Sequence, residues 1–127
     1  MRAAAPRRKK NPGAAIINVS STAAFYGDSS SIAYSAAKAG SIVMTKSLAR
    51  LLAPDVRVNA LVPGTVATAF AGWPRESYEG IGEQSPLKRL ATEEFAAGAL
   101  FLAADATSLT GESIAVDCGL RALRRKA

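Results

Sequence analysis

The sequence predicts an α/β fold on a parallel sheet, with about three strands and two main helices. Three observations carry this. Short apolar runs containing β-branched residues occur at 14–20, 56–62 and 113–119. Segments with helical features lie between them, at 31–52 and 92–104. The resulting order is strand, helix, strand, long loop, helix, strand, which is the order of βαβ units with right-handed crossovers. At 127 residues the chain has the size of one domain with a modest core, and its 49% hydrophobic content excludes disorder.

The elements follow in order. Residues 1–12 form a basic lead-in, 13–119 a folded domain and 120–127 a basic tail. "AAIINVS" (14–20) is almost continuously apolar, as in a parallel strand covered on both faces. "STAAFYGD" (21–28) reads as a loop with Gly27 and Asp28 as turn residues. A helix is expected from about Ser31 to Leu52, with N-caps among Asp28 to Ser31 and Pro54 just beyond its end. Its apolar stripe runs through Ala33, Ala37, Gly40, Met44, Leu48 and Leu51, and should pack inward. "VRVNALV" (56–62) is a second strand, and Asn59 within it reads as a structural hydrogen-bonder. Residues 63–89, rich in Gly and Pro and holding Trp73, read as a long binding loop or lid. Residues 92–104 form the second helix, with Thr92 as N-cap and Glu93 and Glu94 at its positive end. "SIAVDCG" (113–119) is the third strand, and Cys118 reads as a small buried residue.

Composition excludes several functions. The net charge is +6, but nine of the 16 cations lie in residues 1–10 and 121–127. The stretch 11–120 holds the other seven against ten anions. A nucleic-acid surface is therefore not expected, and no aromatic interleaving supports one. No apolar run approaches the ~20 residues of a membrane span. The lack of histidine and of C-x-x-C excludes a zinc site and Ser-His or Cys-His catalysis, so no metal is expected. One cysteine excludes an internal disulfide. The composition fits a cytoplasmic protein.

The chemistry-bearing residues fall into one register. Ser21 follows the first strand, Tyr34 comes thirteen residues later and Lys38 four after that. The second strand ends in "NALVPGTVAT", and the last reads "TGESIAVDCG". A tyrosine and a lysine at i and i+4 share a helix face and can meet. A nearby cation favours a phenolate, which brings a group of ordinary pKa ≈ 10 toward useful base strength. Ser21 stands at a strand's C-terminal end, where open α/β sheets bind ligands.

Over residues 13–119 this register resembles the C-terminal half of a short-chain dehydrogenase/reductase. The resemblance implies a partial Rossmann-like, doubly wound sheet and NAD(P)-dependent hydride transfer at a carbonyl or alcohol. It implies that Tyr34 is the acid/base, that Lys38 binds the nicotinamide ribose and lowers the Tyr34 pKa, and that Ser21 holds the substrate oxygen. Pro63, Gly64, Val66 and Thr68 would line the nicotinamide, with Tyr34 and Lys38 also on the cofactor. Read from the sequence alone, Phe70, Trp73 and Tyr78 are either lid residues over a substrate, with Phe70 and Trp73 facing it, or ordinary packing. Cys118 stands where the family commonly has glycine, and the family's long helix commonly enters subunit contacts.

The family's T-G-x-x-x-G-x-G turn, its N-N-A-G segment, its catalytic asparagine and the residue that selects NAD or NADP are not found in these 127 residues. In the alignment set by Ser21, Tyr34 and Lys38 they would precede Met1. The expectation is a nicotinamide corner without the pyrophosphate half, with weak dinucleotide affinity and an impaired or inactive enzyme as the chain stands. The choice between NAD and NADP is not readable. The first strand becomes an apolar sheet edge, with Arg7 to Lys10 as partial guards. Self-association as a homo-oligomer, through the long helix and this edge, is therefore expected. The alternative reading is a non-catalytic remnant acting as an oligomerisation or interaction module.

Overall fold

A computed structural model describes residues 13–27, 29, 31–68, 72–92 and 94–123. Strands β1 (Ala14–Val19), β2 (Val56–Pro63) and β3 (Ser113–Val116) form one parallel sheet in the order β1-β2-β3. Ala14 pairs with Val56 and Val19 with Leu61, while Ala60 pairs with Ser113 and Pro63 with Val116. The three C-terminal strand ends therefore lie along one sheet edge. β2 is central, and Val58, Ala60, Leu61 and Val62 are wholly buried.

Successive strand residues point to opposite faces, and each face has its own helix. On one face, Ala49 and Leu52 of α2 (Ile32–Leu52) pack on Val56 and Val58, with half-buried Ala14 and Ile16 beside them. On the other, Leu61 meets Leu102 and Ala106, flanked by Ile17, Phe95 and Ile114. Those helical residues belong to α4 (Glu94–Leu100) and to a π-helical turn that continues it, Phe101–Asp105. The wide turn closes with the Ala106 N–H donating to Phe101 O at 2.8 Å. Arg57, on that face of β2, donates to the carbonyls of Leu102 (2.7 Å), Ala103 (2.7 Å) and Ala106 (2.8 Å). A guanidinium fork thus satisfies the acceptors that a helix C-terminus leaves open.

The α/β architecture stands as expected, and four kinds of detail differ: a helix in the loop after β1, helices in two later segments, the cover of β1 and the stripe on α2. The loop after β1 contains a short helix, α1 (Ala23–Tyr26), ended by Gly27 in the left-handed conformation. The loop expected over 63–89 contains α3 (Arg75–Gln84), and the segment after β3 forms α5 (Leu120–Leu123). β1 is half-buried along most of its length rather than covered on both faces, because only β2 flanks it among the described residues.

The fourth difference is the stripe on α2. Ala33, Ala37 and Gly40 are exposed, as are Met44 (43%) and Leu51 (71%), and only Leu48 is half-buried. The buried face is Ser35, Thr45, Ala49 and Leu52. Asn18 of β1 and Ser20 just beyond it face the helix, which meets them with the Thr45 hydroxyl and the Lys38 carbonyl rather than with apolar side chains. Ser31 caps the helix as expected, its Oγ accepting from Tyr34 N at 3.4 Å. Asp28, Ser30 and Glu93, also expected at helix starts, lie outside the described residues, as do Phe70, Arg7 to Lys10 and residues 124–127 of the basic tail.

Candidate active site

The site begins where β1 ends. The Ser20 N–H donates to Leu61 O at 2.8 Å and the Thr22 N–H to Pro63 O at 3.0 Å, so the segment holding Ser21 stays attached to β2. The Ser21 hydroxyl accepts from Ala23 N at 3.2 Å, which starts α1. Ser21 is half-buried, at the C-terminal edge of the sheet.

The first turns of α2 face this edge. The Lys38 ammonium donates to Val19 O at 2.9 Å and stands 5.6 Å from the centre of the Tyr34 ring. The expected meeting of Tyr34 and Lys38 on one helix face is therefore present. Tyr34 is half-buried, and its hydroxyl has no hydrogen-bond partner among the described residues. An ammonium has three donors, so Lys38 keeps two after its bond to Val19.

Gly64 continues from β2, its N–H donating to Val116 O at 3.1 Å. A Cβ here would lie 2.8 Å from the Asp117 Cβ and 2.9 Å from its Cα, so the close approach of the β2 and β3 exits requires glycine. Asp117 in turn accepts from the N–H groups of Gly119 and Arg121 at 2.9 Å each, and so starts α5. Cys118 is buried with φ 54°, which explains why a glycine is the easier residue there. Tyr26 of α1 donates to Arg121 O at 2.6 Å, and Arg121 lies over the Phe25 ring at 4.5 Å. The loops after β1 and β3 thus close over the exit of β2.

Val66 bridges to Ala91, and Thr68 N–H donates to Val66 O at 2.8 Å. The Tyr78 hydroxyl donates to Thr68 O at 2.9 Å, and the Trp73 ring lies 5.7 Å from the buried Tyr78 ring. Tyr78 is thereby a packing residue that fixes the loop, while Trp73 remains 45% exposed. A groove of about 730 Å³ runs from Thr68 past Trp73 and α3 to Lys88 and Arg89. Ser21, Tyr34 and Lys38 do not line it, so Trp73 shares a surface with Thr68 rather than with the tyrosine. Arg89 bonds Glu94 at 2.7 Å, and that carboxylate raises the guanidinium above its ordinary pKa.

Asn59 is structural, as expected. It donates to Leu109 O at 2.8 Å and accepts from Glu112 N at 3.0 Å. Sequence reasoning missed Asn18, Ser20 and Thr45. Asn18 donates to the Thr45 hydroxyl at 2.8 Å, and the Ser20 hydroxyl donates to Lys38 O at 2.8 Å. The available signal was a polar residue inside an apolar strand with hydroxyl residues on the following helix.

A family profile described as enoyl-(acyl carrier protein) reductase matches residues 1–121. The short-chain dehydrogenase/reductase SDRA of Arabidopsis thaliana is 40% identical over 121 residues, which cover 91% of this chain and 47% of that protein. The homolog YusR of Bacillus subtilis (strain 168) is 36% identical over 118 residues, covering 93% of this chain and 92% of its own length. The crystal structure of a short-chain dehydrogenase/reductase from Brucella melitensis, titled glucose/ribitol dehydrogenase, superposes with a TM-score of 0.80 at 34% identity. That match covers 85% of this chain and 45% of the other. The chain belongs to the short-chain dehydrogenase/reductase family of oxidoreductases. It spans about half the length of the Arabidopsis and Brucella relatives, and nearly all of the Bacillus one. Among the described residues no helix is long and apolar enough to cross a membrane.

Proposed function

We propose that these residues form the proton-transfer and nicotinamide corner of an NAD(P)-dependent oxidoreductase acting on a carbonyl or alcohol. The observation that carries the reading is the Lys38 ammonium, fixed on Val19 O and beside Tyr34 at the C-terminal edge of a parallel sheet. The donor set fits a nicotinamide riboside. Lys38 has two uncommitted donors for ribose hydroxyls, and the Gly64 backbone passes without a side chain between the strand exits.

A bound nicotinamide dinucleotide would supply or accept the hydride. Tyr34 gives its hydroxyl proton to a carbonyl oxygen during reduction and takes it back during oxidation. Lys38 holds the ribose, and Ser21 orients the substrate oxygen. Pro63, Gly64, Val66 and Thr68 line the nicotinamide. The cofactor is NAD or NADP.

None of the 127 residues forms the glycine-rich turn that cradles a pyrophosphate. The residues present therefore support weak dinucleotide binding and slow turnover. The test is carbonyl reduction with NADH or NADPH at rising concentration, in parallel with Tyr34→Phe. The expected result is a low rate that does not saturate and falls by about 10²-fold or more in the variant. A rate that Tyr34→Phe leaves unchanged removes Tyr34 from the chemistry.

A second reading is favoured by the outward face of α2, where Ile32 is 88%, Val43 65% and Leu51 71% exposed. This face suits a second copy of the chain, and with the edge of β1 it supports a homo-oligomer or a non-catalytic interaction module. Size-exclusion at several concentrations reads it. A monomer throughout counts against it.

A further inference from the structure

Lys38 is gripped at both ends by consecutive residues of one strand exit. Its ammonium donates to the carbonyl of Val19 at 2.9 Å, and its own carbonyl accepts the Ser20 hydroxyl at 2.8 Å. In a regular α-helix that carbonyl would take only the N–H of the residue four positions on. Here it also receives the Ser41 hydroxyl, at 2.7 Å. Of the two hydroxyls, only Ser20's comes from outside the helix. Ser20 is 3% exposed, so its bond is shielded from water.

The contact is part of a longer seam. Two turns along α2, the Thr45 hydroxyl donates to Ser41 O at 2.8 Å and accepts from Asn18 at 2.8 Å. Asn18 in β1 and Ser20 one residue past it both bond α2, so the strand and its exit hold the helix at two heights. Apolar contacts tolerate sliding, whereas hydrogen bonds at two fixed spacings allow one rotation and one height.

We infer that Ser20 is a positioning residue. Its hydroxyl sets α2 on β1 so that the Lys38 ammonium rests on Val19 O and beside the Tyr34 ring. The adjacent serines divide the work: Ser21 serves the open edge, and Ser20 serves the helix. The catalytic meaning of this rests on the redox reading above, but the positioning itself is a property of the free chain.

Lysine acylation followed by mass spectrometry tests it without cofactor or turnover. In the wild-type chain the bond to Val19 O is expected to slow Lys38 acylation. Ser20→Ala is expected to raise its acylation rate roughly fivefold, the factor that loss of one hydrogen bond allows. Lys46 and Lys88, both exposed, should keep their rates, and an unchanged circular dichroism melting curve shows that the chain stays folded. Ser41→Ala removes a donor from the same carbonyl but leaves the strand contact, and should leave Lys38 protected. If the alanine variant does not fold, Ser20→Cys, with a similar shape and a weak donor, is read in the same way. An unchanged Lys38 rate in Ser20→Ala, or an equal rise in Ser41→Ala, overturns the proposal. The predicted labelling pattern in a chain that binds no dinucleotide upholds the positioning role and sinks the redox reading alone.

Discussion

The two halves of α2 are attached to the sheet by different physics. Between Lys38 and Thr45 the helix is held to the first strand by hydrogen bonds: the Thr45 hydroxyl accepts from Asn18 of β1, and the Lys38 carbonyl accepts from Ser20, one residue past the strand. From Leu48 to Leu52 its buried face is apolar and packs on Val56, Val58 and Ile16. The apolar half supplies burial energy, and the polar half supplies position. The hydrogen-bonded half also carries Lys38, with Tyr34 one turn before it. A seam of this kind adds little net stability when satisfied but is costly to break on one side.

The largest effect should come from the apolar half. Leu52 is 3% exposed, and Leu52→Ala is expected to cost about 2–4 kcal/mol in urea unfolding. A loss below about 1 kcal/mol would mean that the packing half is not what holds the helix down. In the polar half, Asn18→Ala removes the donor to a buried Thr45 hydroxyl, with an expected cost of about 1–3 kcal/mol. That loss should be recovered in part by adding Thr45→Val, because the pair then leaves no unpaired hydroxyl. Failure of the second change to recover anything would show that Asn18 acts elsewhere.

The smallest effect belongs to the outer face. Leu51 neighbours Leu52 in sequence but is 71% exposed, and Leu51→Ser should shift monomer stability by no more than about 0.5 kcal/mol. A larger loss that grows with protein concentration would show that another copy covers this face.

These contrasts also explain what the sequence revealed. The three strands and the 31–52 helix were legible because β-branched runs, a serine cap and Pro54 punctuate them. Tyr34 and Lys38 were legible because helical spacing alone brings i and i+4 together. The inward face of α2 was misread, since its apolar periodicity marks the face turned away from the sheet. Reading the buried side required Asn18 and Ser20, whose partners are 27 and 18 residues away. α3 was hidden in a segment rich in glycine and proline, and Tyr78 secures its place by a bond to Thr68 O. The π turn was unreadable because Arg57, far off in sequence, gathers its carbonyls. The Gly64 contact with Asp117 likewise depends on two strand exits meeting.

The reading to test is the proposal that these residues hold the nicotinamide side of a dinucleotide. Amide NMR titration with nicotinamide mononucleotide and, separately, with AMP tests it most directly. The account predicts that the nicotinamide ligand shifts the signals of Ser21, Tyr34, Lys38, Gly64, Val66 and Thr68, while AMP shifts none of them. Equal shifts with AMP, or no response at these residues to the nicotinamide ligand, would contradict it.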